Sequence, residues 1–189
     1  NVRHPQDFQG DLAAQIGSVH LGERRLLKLI DEFGADVVEA AVEIILDSAE
    51  KQARDVISTW ADGIYHGTAL LDDDGRGNQD IAIRAKVTKQ GNGLEVDLSG
   101  SDDEVTSFVN SSYANMQSAV AMALAFLFDP ETPKNDGSLR PVKVIAREGS
   151  IVWAKPGAPV TLSTSHCAQE IIEAIIRALA PACPERAMA

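Results

Sequence analysis

A chain of 189 residues with 44% hydrophobic and 24% charged side chains is long and apolar enough to bury one substantial core or two small ones. Its 28 acidic residues against 17 basic ones give a formal charge of -11, a field that repels phosphate backbones and anionic bilayers, so neither nucleic acid nor a membrane is an expected partner. No apolar run approaches the roughly 20 residues that span a bilayer and no basic-then-apolar leader opens the chain, so a cytoplasmic setting is expected.

In chain order, apolar side chains at Leu12, Ile16, Val19, Leu26, Leu27, Ile30 and Phe33 fall at helical spacing and predict a helix over 7–33, stopped by Gly34. Gly17 and Gly22 inside it predict a kink or a close approach of another backbone. Asp36 and Glu39 form an N-cap and N3 pair for a second helix, with its stripe at Val38, Val42, Ile45, Leu46, Ala49 and Ala53. A turn this short predicts that the two helices pack as an antiparallel hairpin over 1–60. The period then changes to two. Ile64–Leu71 reads as a strand, and Ile81, Ile83, Ala85, Val87 with Leu94, Val96, Leu98 read as a hairpin with one buried face. A third helix is predicted over Ser112–Phe128, so apolar all round that it should be deeply buried, and closed by Asp129-Pro130. Pro141–Ala146 and Ile151–Ala154 read as two short strands about the Glu148-Gly149 turn. A last helix carries Ile171, Ile172, Ile175, Ile176 and Leu179 on one side and a Glu173–Arg177 pair on the other. Grouped rather than alternating elements predict an α+β fold, a helical hairpin followed by a mostly antiparallel sheet with two further helices, the 61–189 part forming one continuous domain.

Four groups of residues have the chemistry of a site. Asp72, Asp73, Asp74 and Asp80 crowd a ten-residue stretch with two glycines, either an oxygen cage for a hard cation or a wet turn. The EF-hand pattern fails, since Gly75 follows Asp74 directly and position twelve from Asp72 is Ile83, so the turn is the expected reading. His166-Cys167, after Ser163, Thr164 and Ser165, opens the last helix, where the dipole favours a thiolate; the alternatives are a nucleophile and a small buried thiol beside a capping histidine. The four histidines, at 4, 20, 66 and 166, show no metal-binding spacing, and the two cysteines, Cys167 and Cys183, lack the number for a disulfide framework and are expected as free thiols. Ser101, Asp102 and Asn110 lie on a loop that follows a strand and feeds a helix N-terminus, a place suited to an anionic group. Asn135, Asp136 and Arg140 set polar turn chemistry around a cation. These six are the candidate substrate-binding residues, each more readily structural than catalytic, and no residue is assigned a catalytic role.

The segments Asn1-Val2-Arg3, Gly10-Asp11-Leu12-Ala13-Ala14-Gln15, Gly22-Glu23-Arg24-Arg25, Asp47-Ser48-Ala49-Glu50, Asp62-Gly63-Ile64-Tyr65, Val96-Asp97-Leu98-Ser99-Gly100-Ser101, Asn135-Asp136-Gly137 with Arg140-Pro141, and Pro184-Glu185-Arg186-Ala187-Met188-Ala189 follow one another in an order that resembles the hydantoinase B/oxoprolinase family. The resemblance runs from the first residue to the last. It implies a part of the B subunit of an ATP-dependent cyclic-amide hydrolase, with a subunit segment of a ketone carboxylase as the alternative. In that family an A-type ATP-binding subunit phosphorylates the substrate oxygen, which turns a poor site of attack into a leaving group. The resemblance further implies an interior segment of a longer subunit, because the family's H-L-P-D and H-x-D-V-G-G motifs lie upstream of the matched stretch and are absent here. The expected partners are therefore the A-type subunit, the remainder of the B subunit and a small cyclic amide. No cofactor or metal ligand is expected within the segment, and ATP with Mg and a divalent metal are implied for the whole enzyme. A reading of a different class is a non-catalytic assembly module that docks through the Ile171–Leu179 helix face.

Overall fold

The computed structural model describes residues 3–160 and 167–187. The chain divides into two compact units, Asn1–Ile45 and Leu46–Ala189. The elements are α1 (Pro5–Phe33), α2 (Ala35–Ser58), β1 (Gly63–Asp73), β2 (Gln79–Gln90), β3 (Gly93–Asp97), α3 (Tyr113–Leu127), α4 (Asp136–Leu139), β4 (Val142–Ile145) and α5 (Ala168–Leu179). The predicted α+β class holds.

In the first unit α1 begins with proline in its first turn, where a missing N–H costs nothing, and ends at Gly34, which takes φ 89° and donates its N–H to Ile30 O at 2.8 Å. Two successive helices are present as read from the sequence. The burial expected of a hairpin is not: no residue of α1 is buried, and Leu12, Ile16, Val19 and Leu26 all face solvent. An apolar stripe encodes a helix face that wants a cover, and the pattern reads the same whether or not the cover lies nearby in the chain. A Cβ at Gly17 or Gly22 would meet nothing within 4 Å, so neither marks a close backbone approach among the described residues.

The second unit is built on a sheet of order β1-β2-β3-β4. β1 pairs antiparallel with β2 from Gly63↔Lys89 to Asp73↔Gln79, and β2 pairs antiparallel with β3 across the tight turn at Gly91, whose φ is 58°. β4 pairs parallel to β3, Leu94 opposite Val142 and Val96 opposite Val144. A parallel neighbour requires a long crossover, and the crossover here carries α3 and α4. The sheet's inner face is Ala69, Leu71, Ile81, Ile83, Ala85, Val87, Leu94 and Val96, the period-two set expected from the sequence. α5 packs across β1 and β2, and α3 packs against α5. Met116, Val120, Leu124, Ile171, Ile175 and Leu179 complete the core with Ile57 and Trp60, each large aliphatic contributing about 1.5–3 kcal/mol by leaving water.

One position fixes how closely helix and sheet approach. A Cβ at Gly67 would lie 2.0 Å from Ala174 O and 2.5 Å from Ala178 N, both backbone atoms of α5, so only glycine fits on this strand. Gly137 stands equally close to α2, where a Cβ would meet Leu46 O at 2.0 Å.

Three local expectations are corrected. Ile151–Ala154 is no strand: Ile151 and Val152 are both fully buried, and the backbone turns back on itself with Gly149 N–H donating to Trp153 O at 2.8 Å. Its remaining peptide groups serve loops, Ile151 donating to Asp102 O and accepting from Ser111 N–H. α3 is buried along Met116, Val120 and Leu124 but leaves Met122 and Phe126 exposed on its outer side. The docking face assigned to Ile171–Leu179 is largely spent internally, since Ile171, Ile175 and Leu179 are buried against the sheet and only Ile172 and Ile176 are half-exposed.

Candidate functional site

The acidic stretch between β1 and β2 is a stapled turn. The Asp74 carboxylate is buried and accepts from Arg76 N–H at 2.8 Å, Asn78 N–H at 3.0 Å and Asn78 Nδ2 at 2.6 Å, while Asp73 Oδ1 accepts from Gly75 N–H at 2.7 Å. Gly75 and Gly77 supply the left-handed conformations the turn needs, at φ 69° and 104°. The amide of Asn78, opposing the effect of burial, and the two backbone N–H groups hold the Asp74 carboxyl below its ordinary value. Its oxygens are committed to the turn.

Ser101 and Asp102 extend the sheet beyond β3. Asp102 exchanges backbone and side-chain hydrogen bonds with Ala82, its N–H donating to Ala82 O at 3.0 Å and its Oδ2 accepting from Ala82 N–H at 2.8 Å. Asp102 Oδ1 accepts from the Arg84 guanidinium at 2.5 Å, and Ser101 Oγ accepts from Arg84 N–H at 3.1 Å. This pairing covers Ala82, which explains why a residue on the expected outer face of β2 is buried. Burial acts to raise the Asp102 carboxyl, and the Arg84 hydrogen bond, the Ala82 N–H and the Arg84 charge together outweigh it and leave it lowered. A carboxyl lowered in the folded state contributes stability that is present above the unfolded value, about 4, and is lost as pH falls through the folded value. Asp102→Asn should therefore lower the melting temperature at pH 7 and flatten its decline below about pH 4, read by thermal melts from pH 2 to 8.

Asn110 is buried and locks the β3–α3 loop. Its Nδ2 donates to Val105 O and Pro159 O at 2.8 Å and to Ser107 O at 3.0 Å, and its Oδ1 accepts from Val105 N–H at 2.8 Å. Asn135 caps α4 by accepting from Gly137 N–H at 3.0 Å, Asp136 is exposed in its first turn, and Arg140 reaches α2 with 2.7 Å to Asp47 and 3.4 Å to Glu50. The six expected residues thus form two groups, one pinned to β2 and the loops around it, the other around α4, from which Arg140 reaches α2.

Cys167 is fully buried, takes φ 65° at the start of α5 and donates Sγ–H to Ile151 O at 3.4 Å. Burial, with Glu170 adding to it, pushes its thiol far up, against the thiolate that a helix N-terminus favours in water. Cys183 is pushed up to about 11 by burial and then by Glu185. Native protein should accordingly resist a thiol reagent at pH 7 and label at both cysteines only once unfolded. Ser163, Thr164, Ser165 and His166 lie outside the described residues. Among the described residues no three His, Cys, Asp or Glu side chains converge as a group that could hold a metal ion. No helix among them is long and apolar enough to cross a membrane.

Two features escaped the sequence reading. A groove of about 900 Å³ runs between α3 and α5, walled by Ser118, Met122, Phe126, Ile172 and Ile176, with the Glu173–Arg177 pair, 2.6 Å apart, at its rim. The i, i+4 spacing of Ser118, Met122 and Phe126 was the available signal. Tyr113 and Trp153 meet at 4.8 Å between ring centroids, a tertiary contact without a local signature.

Known proteins resemble this chain in sequence and in fold. The family model described as Hydantoinase B/oxoprolinase matches residues 1–189. The beta subunit of the caprolactamase of Pseudomonas jessenii is 34% identical over the whole chain, which covers 32% of that protein. The B-type component of a putative D-/L-hydantoinase of Pseudomonas sp. (strain NS671) is 30% identical over the whole chain, which covers 34% of it. The crystal structure of the ATP-dependent caprolactamase from Pseudomonas jessenii superposes with a TM-score of 0.85 at 34% identity, over 94% of this chain and 31% of that one. The chain spans about a third of the length of these relatives.

Proposed function

The chain belongs to the hydantoinase B/oxoprolinase family, and from that premise we propose that it is a segment of the B-type subunit of an ATP-dependent cyclic-amide hydrolase working with an ATP-binding A-type subunit. The observation that carries this reading is the end-to-end likeness, in sequence and in fold, to the beta subunit of an enzyme named for hydrolysing a lactam with ATP. ATP with Mg, and the divalent metal, belong to the whole enzyme in this reading, and the chemistry of phosphorylating an amide oxygen falls to the A-type subunit.

The segment's own contribution is architectural. Asp102 and Ser101 fix the loop leaving β3 to β2, Asn110 fixes the loop entering α3, Asn135 caps α4, and Arg140 ties the segment before β4 to α2. Side chains so fully engaged hold loop backbones in place, and any contact with substrate comes from the loop surfaces they hold. Asp136, exposed in α4, is the candidate among the six for a direct contact.

Reconstitution tests the proposal. The full-length subunit with its A-type partner is expected to open caprolactam, a hydantoin or 5-oxoproline only when ATP is supplied, while the 189-residue segment does not. Absence of ATP-dependent ring opening in the reconstituted complex, or turnover by the segment alone, refutes it.

A further inference from the structure

α1 carries an apolar seam, and none of its residues is buried. Leu12, Ile16, Val19, Leu26, Ile30 and Phe33 follow one another at alternating spacings of four and three once Glu23 is counted between Val19 and Leu26, the periodicity of a helix that seats a second helix along its length. The 29-residue helix is about 43 Å long at 1.5 Å per residue. Ile16 is 51% and Val19 71% exposed. Scattered exposed aliphatics need no explanation, whereas a continuous stripe of this length marks a contact.

Glu23 says what the contact is not. In a parallel pairing of two copies it would face another Glu23 at the seam, two like charges in one layer. In an antiparallel pairing it would face Leu12, Val19, Leu26 or Phe33, a carboxylate set against hydrocarbon without a cation. His20, 3.5 Å away on the same helix, is a cation only when protonated. A chain with a formal charge of -11 also repels its own copies.

We infer that the α1 seam seats an amphipathic helix supplied by the remaining two-thirds of its own subunit, apolar at matching spacing and bearing a Lys or Arg against Glu23. The inference rests on the functional reading above. Its fold recurs inside a chain about three times as long, and a segment tethered in the same polypeptide meets the seam at an effective concentration no separate partner reaches.

The test compares Ile16→Lys and Leu26→Lys with Ala14→Lys, on the opposite side of α1, in both the 189-residue chain and the full-length subunit. In the full-length protein the two seam variants are expected to lower the melting temperature by about 5 °C or more. In the 189-residue chain they should leave it unchanged, and Ala14→Lys should alter neither. Glu23→Lys should destabilise the full-length protein more than Glu23→Gln does. Unchanged melting of the full-length seam variants overturns the inference. So does an equal loss in the 189-residue chain, which would place the cover within it. A wild-type dimer that Ile16→Lys dissociates would make the occupant a second copy, and a defect seen only in the complex with the A-type subunit would make it that partner; either overturns the assignment. Failure of ATP-dependent hydrolysis by the wild-type complex would refute the functional reading while leaving this melting comparison intact.

Discussion

Gly67→Ala is expected to destabilise the Leu46–Ala189 unit by about 3 kcal/mol or more, read as a fall in the urea midpoint with an unchanged slope. The added methyl would lie 2.0 Å from Ala174 O and 2.5 Å from Ala178 N. Both obstacles are backbone, so no rotamer change relieves the clash and no second-site trimming of a side chain rescues it. The only relief is to lift α5 away from β1, which opens the packing of Ile171 and Ile175 on the sheet. An adjacent control, Thr68→Ala, on the exposed face of β1, should remain within about 0.5 kcal/mol of the wild type.

The second large effect is expected at Asn110. Truncation to Ala removes four hydrogen bonds and leaves Val105 N–H and the carbonyls of Val105, Ser107 and Pro159 without that partner in a mostly dry setting. The expected loss is about 3–5 kcal/mol, or roughly 6–20 °C in melting temperature for a unit of this size. Asn110→Asp keeps the acceptor for Val105 N–H but turns a carboxylate toward three carbonyl oxygens, so it should rescue little. Melting of the two variants in parallel separates this outcome from a substrate-contact role, in which stability would be unaffected.

How much of this was legible in the sequence depends on whether a signal is local. β1, β2 and β3 were readable because alternation records one buried face, and α3 because its apolar run is closed by Asp129-Pro130, with Ser112 found at its start accepting from Asn115 N–H at 3.2 Å. The Glu173–Arg177 pair followed from i, i+4 spacing alone. The parallel partner of β3 was not readable, since Val142–Ile145 is apolar enough for a strand but says nothing of which neighbour it joins. Ile151 and Val152 mimicked a strand because a buried loop needs the same oily residues as a buried strand. The cover of α1 was assigned to α2 because a stripe specifies that something packs there and leaves the partner open.

The candidate site shows the same division. Asn, Asp and Ser in loops are the residues that bind ligands, and they are also the residues that replace missing backbone partners in turns. Asp74, Asn110 and Asn135 are engaged in the second task. Spacing along the chain does not separate the two, because the distinction lies in what the side chain faces. Cys167 was misleading for a related reason: position at a helix start favours a thiolate, and burial, which has no one-dimensional mark, opposes it more strongly.

The order in which the sheet is covered has a consequence for biosynthesis. α5, which packs over β1 and β2, leaves the ribosome after every other element of its unit, whereas those two strands are among the first. At about 5–20 residues per second, the greasy side of the hairpin stays open to water for several seconds during translation. Nascent chains paused before Ala168 should therefore be held by chaperones, and those released after Leu179 should not.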